Sequence, residues 1–179
     1  MVITANTQMT AEEFFALPET VLPTELIEGQ LIVSPAPSTQ HQRVHRRLLR
    51  VLEAVINSGE IFYAPTDVRL SPQTTTQPDL LWIAPESRAQ VTDSKIEGAP
   101  DLVIEIFSPG SVTRDKIDKH KLYEQYGVRE YWMVDPVEGY LEVHVRVEDR
   151  FALQGTYANN ASFDSPVIGK AISLANIFD

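Results

Sequence analysis

The stretch Asp101-Leu102-Val103-Ile104-Glu105-Ile106-Phe107-Ser108 sets a carboxylate in the middle of an apolar run. Five of its residues are large and apolar, so it reads as a β-strand covered on both faces. Burying the bare charge of Glu105 there costs several kcal/mol, on the order of the whole stability margin of a domain. Relief has to come from a cationic partner, a raised pKa or a bound cation.

Upstream, Gln77-Pro78-Asp79-Leu80-Leu81-Trp82-Ile83 repeats the pattern, with a proline that suits the first position of a strand and an aspartate beside it. Pro100-Asp101 opens the Glu105 strand in the same way. Downstream, after Ser108-Pro109-Gly110, residues 114–126 read as a helix ended by Gly127. At about 100° per residue, Asp115, Lys119, Leu122, Tyr123 and Tyr126 share one side, and Lys116, His120, Lys121 and Glu124 the other. Lys119 therefore lies in the apolar stripe, where its bland role is an i,i+4 pair with Asp115 worth about 0.2–0.5 kcal/mol.

Two carboxylates on neighbouring strands and a lysine on the next helix are the parts of a metal-dependent phosphodiesterase. Hard oxygen ligands suit Mg²⁺ or Mn²⁺, which bind the scissile phosphate and lower the pKa of a bound water. The point charge of a lysine holds that nucleophile or offsets charge developing on the phosphate.

Nearer the start, Thr10-Ala11-Glu12-Glu13 has capping-box spacing and predicts a short helix ending before Pro18. Residues 24–34 read as a hairpin turned at Glu28-Gly29-Gln30, which leaves Glu28 at the turn. From 38 to 57, Val44, Leu48, Val51, Leu52 and Val55 recur at helical steps, and Arg43, Arg46, Arg47 and Arg50 lie on the polar side. His41 and His45 stand one turn apart, a metal-pair spacing without a third ligand nearby, and such pairs are more often surface residues. Residues 61–63 and 67–70 are short strands, 71–77 a polar connector, and 84–99 charged and irregular. Residues 130–135, 140–147 and 150–157 are strands, followed by a short strand-like piece and a terminal turn.

At 179 residues without a repeat or low-complexity tract, the chain reads as one domain, residues 1–179, able to bury roughly 70% of its unfolded surface. The absence of cysteine excludes disulfides, thiolate metal sites and cysteine nucleophiles. No run of about 18 apolar residues and no basic leader are present, which predicts a soluble cytoplasmic protein without a membrane partner. A net charge of -10 argues against broad nonspecific nucleic-acid binding, yet eight of the 15 Lys and Arg residues fall at 43–50 and 114–121, a local basic surface. No Gly-x-Ser-x-Gly elbow, Walker loop or dinucleotide fingerprint occurs.

The ordered blocks ELIEGQLIVSPAPSTQHQRV, QPDLLW, GAPDLVIEIFSPGS and DKIDKHKLYEQYGVREYWMVDP resemble the Uma family of restriction endonucleases, within the PD-(D/E)XK nuclease superfamily, over about residues 24–147. That resemblance implies an α/β (α+β) restriction-endonuclease-like core, a mixed central β-sheet flanked by helices. It implies Asp79 and Glu105 as metal ligands and Glu28 as a further acidic site residue. The superfamily's simplest form has a lysine two residues after the second acid. Phe107 stands there, and Lys119 is the position that matches a lysine displaced onto the helix. Gln40 and His41 are further candidates for the pocket. The expectation is a Mg²⁺-dependent endonuclease acting on DNA, with Glu28, Asp79, Glu105 and Lys119 at the site and Arg43, Arg46, Arg47 and Arg50 on phosphates. A homodimer is expected, since cutting both strands of a duplex takes two sites or two encounters. The alternative from another class is a non-catalytic interaction module that keeps the fold.

Overall fold

The structure is a computed structural model that describes residues 8–18, 22–107 and 112–179, with residues 112–115 described by backbone alone. In chain order the elements are α1 (Ala11–Phe15), β1 (Thr24–Ile27), β2 (Gln30–Val33), α2 (Thr39–Val55), β3 (Glu60–Tyr63), β4 (Val68–Ser71), β5 (Thr74–Thr76), β6 (Leu80–Ile83), β7 (Gln90–Val91), β8 (Ile96–Glu97), β9 (Leu102–Ile106), α3 (Val112–Tyr126), β10 (Glu130–Asp135), β11 (Tyr140–Val147), β12 (Arg150–Ala158), β13 (Ser162–Ser165) and β14 (Lys170–Ser173). They form two six-stranded sheets, ordered β2-β1-β5-β4-β8-β7 and β12-β11-β10-β9-β6-β3, and the hairpin β13-β14.

Both sheets are mixed: in the first β4 runs parallel to β8, in the second β9 runs parallel to β10, and the remaining pairings are antiparallel. The parallel β9–β10 step is made through α3, the crossover that parallel strands require. Alternation divides the residues of β9 between two cores. Leu102, Ile104 and Ile106 join Leu80, Trp82, Trp132 and Val134 against Val44, Leu48 and Leu52 of α2 and against the β13-β14 hairpin. Val103 and Phe107 face the other way with Tyr131 and Met133 onto Tyr123 of α3. Leu81 and Ile83 continue that second face onto Val68 and Ile96 of the first sheet. Both faces of β9 are thus covered, and Glu105 shares the side of Val103 and Phe107.

Local signals explain the elements that position the site. Ser38 caps α2 by accepting from the His41 amide at 3.2 Å, and Thr10 and Glu13 close the expected capping box on α1. The β1-β2 hairpin turns in two residues, Glu28 at φ 49° and Gly29 at φ 79°. That turn is pinned by Gly29 N–H to the Gln73 carbonyl at 2.8 Å and Glu28 N–H to Thr74 Oγ1 at 3.3 Å. A Cβ at Gly29 would sit 2.4 Å from that of Gln8. The turn of the β13-β14 hairpin is anchored by Glu130, a buried carboxylate that accepts from Trp132 Nε1 (2.6 Å), Ser165 Oγ (2.9 Å) and the Val167 amide (3.0 Å). That anchoring fixes the hairpin to the second sheet, and burial pushes the carboxyl's pKa up despite its three donors.

Two sequence expectations are corrected. The polar connector 71–77 holds β5, three buried threonines inside the first sheet, because β-branched side chains suit a pleated surface and Thr74 Oγ1 takes a backbone donor. The irregular stretch 84–99 contributes β7 and β8, two-residue strands that complete the same sheet. The Ser108-Pro109-Gly110 turn lies outside the described residues. Among the described residues no helix is long and apolar enough to cross a membrane.

Candidate active site

The antiparallel register of β6 and β9 pairs Leu80 with Ile104 and Leu81 with Val103. Carried one residue further, it sets Asp79 opposite Glu105, a position whose Cβ atoms are normally about 4.5–5.5 Å apart. Asp79 is fixed from several sides. Its Oδ2 accepts from the Ile106 amide at 2.7 Å and from His41 Nε2 at 3.1 Å. Its backbone carbonyl accepts from His45 Nε2 at 2.9 Å and from the Ala64 amide at 3.0 Å. The two histidines that share a face of α2 thus clamp the residue at the start of β6.

Glu105 is held from α3. Its Oε1 accepts from Lys119 Nζ at 3.0 Å and from Tyr123 OH at 2.6 Å, two donors one helical turn apart. Lys119 Nζ also donates to Glu25 Oε1 at 2.5 Å, and that oxygen accepts from the Gln77 amide at 2.8 Å. Lys119 therefore bridges a carboxylate on β1 and one on β9. The side chains of Glu25, Glu105 and Lys119 are 9%, 11% and 12% exposed, and that of Asp79 is 18% exposed.

This packing shifts the charges strongly. Burial pushes the Glu105 carboxyl up to about 7; Lys119 opposes the rise, and the neighbouring Asp79 and Glu25 add to it. Lys119 moves in the direction of a firmer proton: burial pulls it down, but Glu105 and Glu25 together more than offset that. His41 is raised in the same manner, burial being outweighed by its hydrogen bond to Asp79 and by that residue's charge. Burial and the charge of Glu105 hold the Tyr123 hydroxyl protonated, so it serves as a donor.

Asp79, Glu105 and Lys119 are brought together as the sequence suggested. Glu28 is not among them: its left-handed backbone at the hairpin turn leaves it exposed, and it lines an open polar hollow with Gln8, Ser71, Gln73, Thr74 and Tyr126. The acid that β1 supplies to Lys119 is Glu25, which the sequence reading passed over. The signal that finds it is the one that singled out Glu105, a carboxylate inside an apolar strand, here shortened to Thr24-Glu25-Leu26-Ile27. Gln40 donates to the Pro136 carbonyl at 2.6 Å, and Lys116 bonds Asp135 and Tyr140 at 3.2 Å each, so neither is engaged with these acids. Of the four arginines on α2, Arg47 is tied to the carbonyls of Ile177 and Asp179. Arg43, Arg46 and Arg50 are exposed and do not contact the acidic cluster.

The donor chemistry of the cluster fits a hard divalent cation. Asp79, Glu105 and Glu25 offer carboxylate oxygens, and their mutual repulsion, visible in the raised Glu105, is what such an ion relieves. Among the described residues no group of three or more His, Asp or Glu side chains already stands at metal-binding distances.

The chain is thus an α+β protein in which Asp79 and Glu105 stand side by side at one sheet and a lysine of the crossover helix bridges Glu105 to Glu25 of the other. This chain belongs to the Uma2 family, whose model is described as "Putative restriction endonuclease" and matches residues 11–175. A crystal structure described as that of a "putative nuclease belonging to DUF820" from Anabaena variabilis superposes with a TM-score of 0.75 at 23% identity, covering 95% of this chain and 97% of that one. The uncharacterized protein sll1609 of Synechocystis sp. is 26% identical over 155 residues, 84% of this chain and 88% of that protein.

Proposed function

We propose that this protein is a Mg²⁺-dependent endonuclease that hydrolyses phosphodiester bonds in DNA. One observation carries the proposal: a buried lysine bridges two buried acids, Glu25 and Glu105, beside a third acid, Asp79, clamped by two histidines and a backbone amide. Concentrating that much charge in a protein interior is costly, and replacing such groups by apolar residues commonly stabilises a fold. A chain keeps the arrangement for chemistry rather than for stability.

In this reading Asp79, Glu105 and Glu25 hold the cation, with Mn²⁺ as an equivalent ion. When bound, the cation binds the scissile phosphate and acidifies a water. The chain's own groups supply the rest. Tyr123 and Lys119 fix one oxygen of Glu105, and its other oxygen would be the one offered to the cation. His41 and the Ile106 amide orient Asp79. The ammonium of Lys119 remains protonated at every physiological pH and offsets negative charge on the reacting phosphate. Arg46, with Arg43 and Arg50 beside it on α2, is open to phosphate contact. A homodimer would place two such sites on one duplex.

The test is cleavage of DNA with and without Mg²⁺ by the wild type and by Asp79→Ala. Cleavage that needs the metal and is lost in the variant supports the proposal, and metal-independent or Asp79-independent cleavage rejects it. The net charge of -10 favours a second reading, a non-catalytic interaction module. Wild-type protein that binds a partner but cleaves neither DNA nor RNA with any divalent ion would favour that reading.

A further inference from the structure

Asp79 is the most open of the four charged groups, so access to the cluster is from its side. The rim there is built by β3. Tyr63 pairs with Leu80, the neighbour of Asp79, and the Ala64 amide that follows donates to the Asp79 carbonyl. Tyr63 is 54% exposed, and its ring stands edge-on to His45 at 6.2 Å and 80°. His45 in turn donates to the same Asp79 carbonyl. An aromatic ring thus stands open to solvent next to the histidine that bonds the Asp79 carbonyl.

The arginines of α2 can be ranked against this rim by helical phase. Measured from His45 at about 100° per residue, Arg46 lies about 100° round the helix, Arg50 about 140°, and Arg43 and Arg47 about 160°. Arg47 reaches that angle from the opposite flank, the one bonded to the C-terminal carbonyls, so Arg46 is the arginine nearest in phase to His45. Arg46 is exposed and has no ion-pair partner among the described residues.

We propose that Tyr63 and Arg46 form a nucleotide subsite, in which the Tyr63 ring stacks on an unpaired nucleobase next to the scissile phosphate and Arg46 contacts the neighbouring phosphate. The proposal rests on the nucleic-acid reading of the acidic cluster and adds the substrate class: a strand with at least one base out of a duplex. A base inside intact duplex has both faces covered by its neighbours, so an exposed ring gains a partner only from a base that is single-stranded or displaced. Stacking of this kind is sequence-tolerant, because every base has a π-face.

The experiment measures binding of a fluorescein-labelled single-stranded oligonucleotide, and of the same sequence as a blunt duplex, without divalent metal. The proteins are the wild type, Tyr63→Ala, Tyr63→Trp, Arg46→Ala and the remote charge control Lys170→Ala, each checked by thermal unfolding. Tyr63→Ala is expected to weaken single-strand binding by about 5- to 150-fold, the range of one lost stack. Duplex binding should stay unchanged, and Tyr63→Trp should retain affinity. Arg46→Ala is expected to lower the salt dependence of single-strand binding by about 0.7 in log–log slope, and Lys170→Ala to change nothing. Single-strand binding within twofold of wild type in Tyr63→Ala, equal losses on both probes, or a wild type that binds neither probe overturns the subsite. A wild type that shows the Tyr63 dependence but never cleaves with Mg²⁺ keeps the subsite and removes the nuclease assignment.

Discussion

Replacing Glu105 by glutamine separates a structural ion pair from a functional charge. The substitution keeps the shape and an acceptor for Lys119 and Tyr123, and it removes the titratable group. In the folded protein that group titrates at about 7 against an ordinary 4.5, because it is buried and faces Asp79 and Glu25 as well as Lys119. Below about pH 4.5 both folded and unfolded chains carry the proton. Between about 4.5 and 7 the unfolded chain releases it while the folded chain keeps it, so the folded state binds more protons and stability falls as pH rises. Above about 7 the loss is complete. The rise from 4.5 to about 7 corresponds to about 3 kcal/mol.

Glu105→Gln escapes that loss but weakens one contact of Lys119, which retains Glu25 at 2.5 Å. Giving up one charge-assisted bond for a neutral one costs about 1 kcal/mol. The variant is therefore expected to match the wild type at pH 5 and to exceed it by about 1–3 kcal/mol at pH 8, while losing Mg²⁺-dependent cleavage. Urea unfolding of both proteins at the two pH values measures this, and taking the difference cancels other titrating groups. If Glu105→Gln were less stable than the wild type at pH 8 by more than about 1 kcal/mol, Glu105 would be a stabilising ion-pair partner and the reasoning would fail.

Glu25→Gln should reduce cleavage on the order of 100-fold by weakening a cation ligand and misplacing Lys119, whereas Glu28→Asn should cleave within a few-fold of wild type. The latter should also gain about 0.5–1 kcal/mol, because asparagine accepts the left-handed turn position that glutamate occupies under strain; a cleavage assay and thermal unfolding of the pair check both points. Glu130→Leu strands the donors of Trp132, Ser165 and Val167 and should cost about 3–5 kcal/mol, while Glu130→Gln should cost less, as measured by denaturant unfolding. Mg²⁺ binding followed by calorimetry in buffers of different ionisation heat should release close to one proton per ion at pH 6 and few at pH 8.5, since Glu105 loses its proton near 7; equal release at both would remove Glu105 from the ligand set.

The parts of the fold that read clearly in the sequence are those whose periodicity is long enough to define a face. The heptad-like apolar spacing of α2 and the clean alternation of β11 correspond to observed elements. The run around Glu105 is a strand buried on both sides. The threonines of β5 did not read as a strand, because a three-residue segment of hydroxyl side chains has the composition of a loop. Its strand character comes from β1 and β4 on either side, partners no local pattern reveals. The same limit applies to β7 and β8, which exist as two-residue pairings within the first sheet.

At the site, Lys119 was legible for a physical reason: a helix of 15 residues has a definite phase, and that phase separates Lys119 from Lys116 and Lys121 before any partner is known. Glu25 was not, since a four-residue strand leaves the choice between Glu25 and Glu28 to the turn, and the turn's two positive φ angles are a backbone fact. The histidine pair shows the deeper difficulty. Its i,i+4 spacing reads more often as a surface pair than as a metal pair, whereas the structure buries His41 and bonds both imidazoles. Only the arrival of β6 beside α2 decides for Asp79, whose side chain and carbonyl take one imidazole each. Spacing within an element fixes which side chains act together, and the identity of what they act upon is set by contacts between elements far apart in the chain.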